Sequence, residues 1–224
     1  INKNRDSEIR RFGFTGSFNG TGATLSSNLD KILNKDAISP AGFVVRESTR
    51  PTDNYSATQT LDAWYLEADM ELGANYRLMA GVRNEESRQN VTTFDLFRLD
   101  ADPIVSSLDS KDLFPVISGT WILDQWDMQI RTSYSETISR PDFRELSPSP
   151  FTHPITGATI VGNPNLTVAY IGNYDARWEW YYSAKESLSV GLFYKEFQSP
   201  IEAVVVSGSG DDRSFINAQN ATTQ

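Results

Sequence analysis

Cysteine is absent from the 224 residues, which excludes disulfides and thiolate metal sites. There is one histidine, His153. It sits in a proline-rich stretch with no oriented partner, so neither a Ser-His-Asp triad nor a histidine metal site is supported. No glycine-rich phosphate loop and no calcium-loop spacing occurs. No enzymatic activity, metal or cofactor is therefore expected. Positive charge is scarce too: 20 Lys and Arg face 29 Asp and Glu, a net charge of −9. That argues against nucleic acid as the main partner. Long hydrophobic runs are missing, and stretches such as Ala203 to Val206 are far too short for a membrane helix. This excludes crossing by helices but not by strands, which need only about 9–11 residues, half of them polar. The chain begins at Ile1 with no signal-peptide pattern, and is expected to be a piece of a longer polypeptide.

What is present is alternation. In residues 62–72, Trp64, Leu66, Ala68, Met70 and Leu72 occupy even positions, and Tyr65, Glu67, Asp69 and Glu71 odd ones. After Gly73-Ala74-Asn75, Tyr76, Leu78, Ala80 and Val82 alternate with Arg77, Met79, Gly81 and Arg83. Period two marks strands with one apolar and one polar face. A tight turn at 73–75 places Glu71 directly opposite Arg77. Seven strands are predicted near 8–18, 62–72, 76–88, 113–123, 126–139, 172–181 and 188–197. An eighth is placed near 201–206, and the chain end is read as the possible start of another. For 113–123, a tight link at 124–125 puts Ile117 and Trp121 on the apolar face with Met128 and Ile130. Phe114, Val116 and Ile122 then share the polar face.

The predicted connections alternate long and short: 19–61, 73–75, 89–112, 124–125, 140–171 and 182–187. In an up-and-down meander this gathers the long loops at one end, as in outer-membrane barrels. Structureless loops of such length are uncommon in compact soluble domains. Trp121, Trp126, Trp178 and Trp180 lie near short turns, joined by Tyr76, Tyr181 and Tyr182, while Trp64 and Tyr65 lie at the other end of their strand. Rings of this kind favour the headgroup depth of a bilayer. Five of the ten prolines fall between Pro141 and Pro164, so that stretch is not a central strand.

The segments "YSETISRPDFRELSP" (134–148), "GNPNL" (162–166) and "NYDARWEWYYS" (173–183) resemble the barrel domain of TonB-dependent outer-membrane receptors. Within that family the likeness is closest to the receptor subgroup common in Gram-negative bacteria that degrade plant or marine polysaccharides. The resemblance implies an all-β fold, an antiparallel up-and-down meander forming part of a 22-strand barrel plugged by an N-terminal domain. It implies import of a scarce solute, a carbohydrate or something siderophore-like, powered by the inner-membrane TonB complex. The implied partners are outer-membrane lipid, the plug domain, the remaining barrel strands and the TonB complex. Seven or eight strands cannot close such a barrel. The plug, the TonB box and a terminal aromatic are not found between Ile1 and Gln224, so a central slice of the barrel is expected.

On the predicted register Glu67, Asp69, Glu71, Arg77, Arg83, Gln129, Arg131, Asp175, Arg177, Glu179 and Lys195 face one way, as lumen-lining residues of a barrel or as the solvated face of a soluble sheet. In the loop 140–171, Phe143, Phe151 and His153 are placed to stack on sugar rings. Arg140, Asp142, Arg144 and Glu145 are placed to bind hydroxyls, or simply to keep the loop in water or hold it to neighbouring loops. The competing reading is a soluble all-β carbohydrate-binding sandwich, which would bury the apolar row between two sheets.

Overall fold

The alternating stretch does form two antiparallel strands, and they extend far beyond the residues that alternate. The computed structural model describes residues 1–16, 27–98, 100–153, 155–206, 208 and 212–224. In chain order the strands are β1 (Asn2–Ser7), β2 (Phe12–Gly16), β3 (Phe43–Glu47), β4 (Asn54–Leu72), β5 (Tyr76–Phe94), β6 (Ile104–Leu123), β7 (Met128–Ser139), β8 (Pro150–Thr152), β9 (Thr159–Val161), β10 (Ala169–Ser183), β11 (Glu186–Gln198), β12 (Ile201–Val205), β13 (Arg213–Asn217) and β14 (Ala221–Thr223). Two single-turn helices, α1 (Leu29–Ile32) and α2 (Phe143–Leu146), lie in the connections. No helix among the described residues is long and apolar enough to cross a membrane.

Eight strands make one antiparallel sheet in the order β1-β4-β5-β6-β7-β10-β11-β14. It is an up-and-down meander that does not close on itself. Three connections are tight. Gly73, at φ 73°, lets the chain reverse between β4 and β5. A 3₁₀ turn at Asp124–Trp126 with Asp127 in the left-handed region links β6 to β7, and residues 184–185 link β10 to β11. The others are longer, and all but the link 95–103 carry strands or a helix of their own. The β2–β3 hairpin lies between β1 and β4, and β12-β13-β9-β8 form a small separate sheet. Long and short connections alternate along the chain, as expected.

Several boundaries differ from the sequence reading. The first strand of the main sheet is Asn2–Ser7, not 8–18. Residues 12–16 pair with β3 instead, and 17–18 lie outside the described residues. The predicted strand near 201–206 is a loop strand, and the eighth strand of the sheet is β14 at the chain end. The link predicted over 89–112 shrinks to 95–103, because β4 and β5 each run 19 residues and β6 runs 20. At about 3.4 Å per residue these three strands are roughly 60 Å long.

The register fixes the faces. Glu71 pairs with Arg77, Leu66 with Val82 and Met70 with Leu78. Ile117 lies opposite Tyr134 and Trp121 opposite Ile130. The expected face of 113–123 is correct although the turn is longer than supposed. One face thus carries Trp64, Leu66, Met70 and Leu72 on β4, then Leu78 and Val82, Ile117 and Trp121, Ile130, Trp178, and Val190 and Leu192 across the other strands. Leu66 is 69 % exposed and Leu192 72 %, so none of the described residues covers that face. The main hydrophobic cluster lies on the opposite, polar face near the long connections. It joins Tyr55, Ala57 and Val91 of the sheet to Phe143, Leu146 and Leu166.

Candidate functional site: the polar face and the segment folded on it

All the residues expected on one polar face do share it. Across the strands Glu67 pairs with Gly81 and Asp69 with Met79. Thr120 stands between Arg77 and Arg131, while Asp175, Arg177 and Glu179 follow on β10 and Lys195 on β11. Opposite charges are matched locally. Arg77 does not bond Glu71, its direct neighbour. It makes a two-pronged pair with Asp69, at 2.9 Å from Nε and 2.6 Å from Nη2, the geometry that a planar guanidinium favours. Glu179 is buried and receives Arg177 Nε at 3.0 Å, Arg131 Nε at 3.4 Å and the Gln129 amide. Gln129 also donates to the Tyr181 hydroxyl at 2.9 Å. A groove beside them is lined by Arg131 and Arg177 together with Ser118, Thr120, Ser133 and Asp175.

Nearer the long connections lies a network that sequence reasoning missed. β6 pairs with β7 only from Val116 to Leu123, but with β5 along almost its whole length. Pro115 stands at the fork, where a missing N–H cannot extend a ladder. Arg140, just past the end of β7, reaches back toward the tall strands. Its Nη1 lies 2.9 Å from Glu85 and its Nη2 3.6 Å from Asp112. Arg83 holds the other oxygen of Glu85 at 2.7 Å, and the Tyr170 hydroxyl donates to Asp112 at 2.7 Å. Glu85 and Asp112 are buried, so this cluster ties β5, β6, β7 and β10 together where backbone pairing lapses. Its members are 27 or more residues apart, apart from the Arg83–Glu85 pair, and no local motif announces them.

The residues after Arg140 are explained one by one. Pro141 accepts a hydrogen bond from Gln89 at 2.8 Å. Asp142 caps α2 in a reciprocal capping box with Glu145, and takes Arg5 at 2.8 Å. Phe143 and Leu146 enter the hydrophobic cluster. Gly162 must be glycine, since a Cβ there would stand 2.1 Å from the Ser147 carbonyl oxygen. Asn163 then donates its backbone N–H to Glu145 at 2.6 Å and its amide to Phe215 at 2.9 Å, which seats Leu166 in the cluster. The two motifs are thus the parts that dock this segment onto the sheet.

Two of the expected ligand-facing residues are held inside the chain by this placement. Phe143 is 5 % exposed and its ring packs inside the chain, so it offers no face to a sugar. Arg140 is engaged by two carboxylates. Of the others, Arg144 stacks over Phe151 at 5.4 Å. His153 Nδ1 accepts the backbone N–H of Ile155 and Thr156 at 3.3 and 3.2 Å, closing the turn between β8 and β9. No group of three or more potential metal-ligating side chains occurs among the described residues.

The family model described as "TonB dependent receptor-like, beta-barrel" matches residues 2–224. The chain belongs to the TonB-dependent receptor β-barrel family. Its sheet is similar to a double mutant of the Serratia marcescens hemophore receptor HasR in complex with its hemophore HasA and heme. The TM-score is 0.62 at 12 % identity, over 80 % of this chain and 33 % of that one. Two further matches are the Pseudomonas aeruginosa siderophore receptor PirA (TM-score 0.47, 16 % identity, 75 % of this chain and 40 % of that one) and a Q482A mutant of the ferric enterobactin receptor PfeA from the same organism, in complex with enterobactin (0.47, 12 %, 81 % and 33 %). No curated protein matches the chain. The chain spans about a third of the length of HasR. The sheet of this TonB-dependent receptor barrel chain is unclosed. The soluble two-sheet sandwich is not observed, because the apolar row belongs to one uncovered sheet.

Proposed function

We propose that this chain is part of the wall of an outer-membrane receptor in a Gram-negative bacterium. The receptor binds a scarce solute, a carbohydrate or a siderophore-like molecule, and imports it with energy from the inner-membrane TonB complex. The carrying observation is one continuous sheet with an uncovered apolar face and a charged face bearing a folded segment. The apolar stretch on β4, from Trp64 to Leu72, spans about the 9–11 residues that a tilted membrane strand requires. Aromatic rings edge the apolar face: Tyr76 stacks on Trp121 at 6.0 Å beside the tight turns, and Tyr134, Tyr174 and Tyr194 line up toward the long connections. Such girdles suit headgroup depth.

On this reading the apolar face meets lipid, and the polar face, from Glu67 to Lys195, lines a hydrated lumen against the plug domain. The remaining barrel strands of the parent chain pair with β1 and β14. The segment 140–168 folds into the lumen, and Asp142, Arg144, Phe151 and His153 are its ligand-facing side chains. The test is uptake by cells carrying the full-length receptor, using a labelled oligosaccharide and a labelled ferric siderophore, with and without TonB. Uptake of one of them that vanishes without TonB is expected. Uptake of neither, or uptake indifferent to TonB, contradicts the proposal.

A further inference from the structure

On β7, β10 and β11 the apolar face ends at Tyr134, Tyr174 and Tyr194, whose rings lie 4.9 and 5.8 Å apart. The next row toward the long connections is Glu136, Gly172 and Glu196, paired directly across the three strands. Gly172 carries no side chain, and a Cβ there would meet nothing closer than the Tyr174 ring at 3.5 Å. A notch of about 320 Å³ opens at this point, bounded beyond by Tyr170 and Gln198. Its size is at the small end of the range for small-molecule sites.

The lining decides what fits. It holds two carboxylates, an amide and phenol rings, and no cation among the described residues. Tyr134 donates its hydroxyl to Glu136, leaving the second carboxylate oxygen free to accept. A phosphate would meet two like charges, and an acyl chain would strip water from them without return. A neutral ring bearing hydroxyls satisfies both demands. Its O–H groups donate to Glu136, Glu196 and the Gln198 amide oxygen, and its C–H face lies on a phenol ring. Leu66, Val82 and Pro115 continue the apolar face on β4, β5 and β6, so the acidic row is confined to this notch.

We propose that the notch seats a neutral sugar ring of an outer-leaflet glycolipid. The proposal rests on the assignment of the apolar face to lipid, and it places the site outside the solute path. The test is native mass spectrometry of the full-length receptor in mild detergent. The probes are a dephosphorylated lipid A and phosphatidylethanolamine. The wild type is expected to retain the glycolipid about tenfold better than the phospholipid, a difference of about 1.4 kcal/mol. Gly172→Leu fills the notch and removes that preference. The double variant Glu136→Gln, Glu196→Gln keeps the shape and weakens retention several-fold, and it carries the test if Gly172→Leu fails the heat-modifiable migration of a folded barrel. Ala176→Leu, deeper in the apolar face, keeps the preference. No preference in the wild type, or an undiminished preference in both notch variants, overturns the proposal. A wild type that retains neither lipid overturns the lipid assignment of the face as well, so the two failures are distinct.

Discussion

Arg140 is the residue on which most of the local architecture converges. Removing its guanidinium leaves Glu85 and Asp112 buried without their shared cation. A fully uncompensated buried charge costs about 3–5 kcal/mol, and the cost here is smaller because Arg83 still holds Glu85 and Tyr170 still donates to Asp112. Arg140→Ala is therefore expected to loosen the segment 140–168, read as faster tryptic cleavage after Arg144 in the full-length receptor. Arg140→Lys keeps the charge but not the fork, and recovers only part of the protection. Equal cleavage rates in wild type and Arg140→Ala would show that the cluster does not hold the segment. Gly162→Ala tests the same docking by sterics, because its methyl group meets three backbone carbonyls of α2 and its flank. It is expected to raise cleavage even though no charge changes. A separate ion pair sits in the β2–β3 hairpin. Hydrogen bonds from Arg10, then Thr49, hold the Glu47 carboxyl below the usual carboxylate range. A depressed carboxyl contributes above its unfolded value and loses that contribution as pH falls through the folded one. The tether is therefore expected to survive to a pH below Glu47's ordinary value of 4.5 and to release only at more acid pH. An isotope-edited infrared titration of Glu47 would show this, and protonation at or above the ordinary value contradicts it.

At the scale of elements, the register makes the sharpest claims. Cysteines at 71 and 77 are expected to crosslink readily, since these positions are directly paired. A preference for 71 with 78 would contradict the pairing. Leu66→Arg places a charge on the apolar face, at about 2–4 kcal/mol near a bilayer midplane. It is expected to lower the yield of folded receptor far more than Glu67→Arg, which changes charge on the polar face. The middle of the sheet was legible in the sequence because one face is apolar there. The strand ends were not. Asn54 to Thr60, Ser87 to Thr93 and Ser106 to Ser110 are polar on nearly every side chain, so the period disappears while the backbone ladder continues. β1, with the sequence Asn-Lys-Asn-Arg-Asp-Ser, has no apolar residue at all. The reverse error arose at Phe12 and Phe14, whose spacing looks like a barrel strand but serves a loop hairpin. In the segment 140–168 the motifs were visible and their purpose was not. Phe143 reads as a binding aromatic until Tyr55, Ala57 and Val91 are seen around it.

At the scale of the whole molecule, the described residues form an open sheet with edge strands β1 and β14 and an apolar face that none of them covers. Unpaired edge strands recruit other chains, so the segment isolated from its parent is expected to self-associate or to need detergent. A clean monomer in plain buffer at high concentration, seen by sedimentation, would speak against an apolar face meant for lipid. The central claim is the direction of that face, and neighbouring positions on β4 test it most directly. A fluorophore on a cysteine at 66, and in a second variant at 67, is read in the full-length receptor reconstituted into a bilayer that contains a depth-restricted lipid quencher. Strong quenching at 66 with little at 67 is the predicted result. Little quenching at 66 in the folded receptor would mean that the row of Trp64, Leu66 and Met70 looks at protein, and the account of this chain as a membrane wall would be wrong.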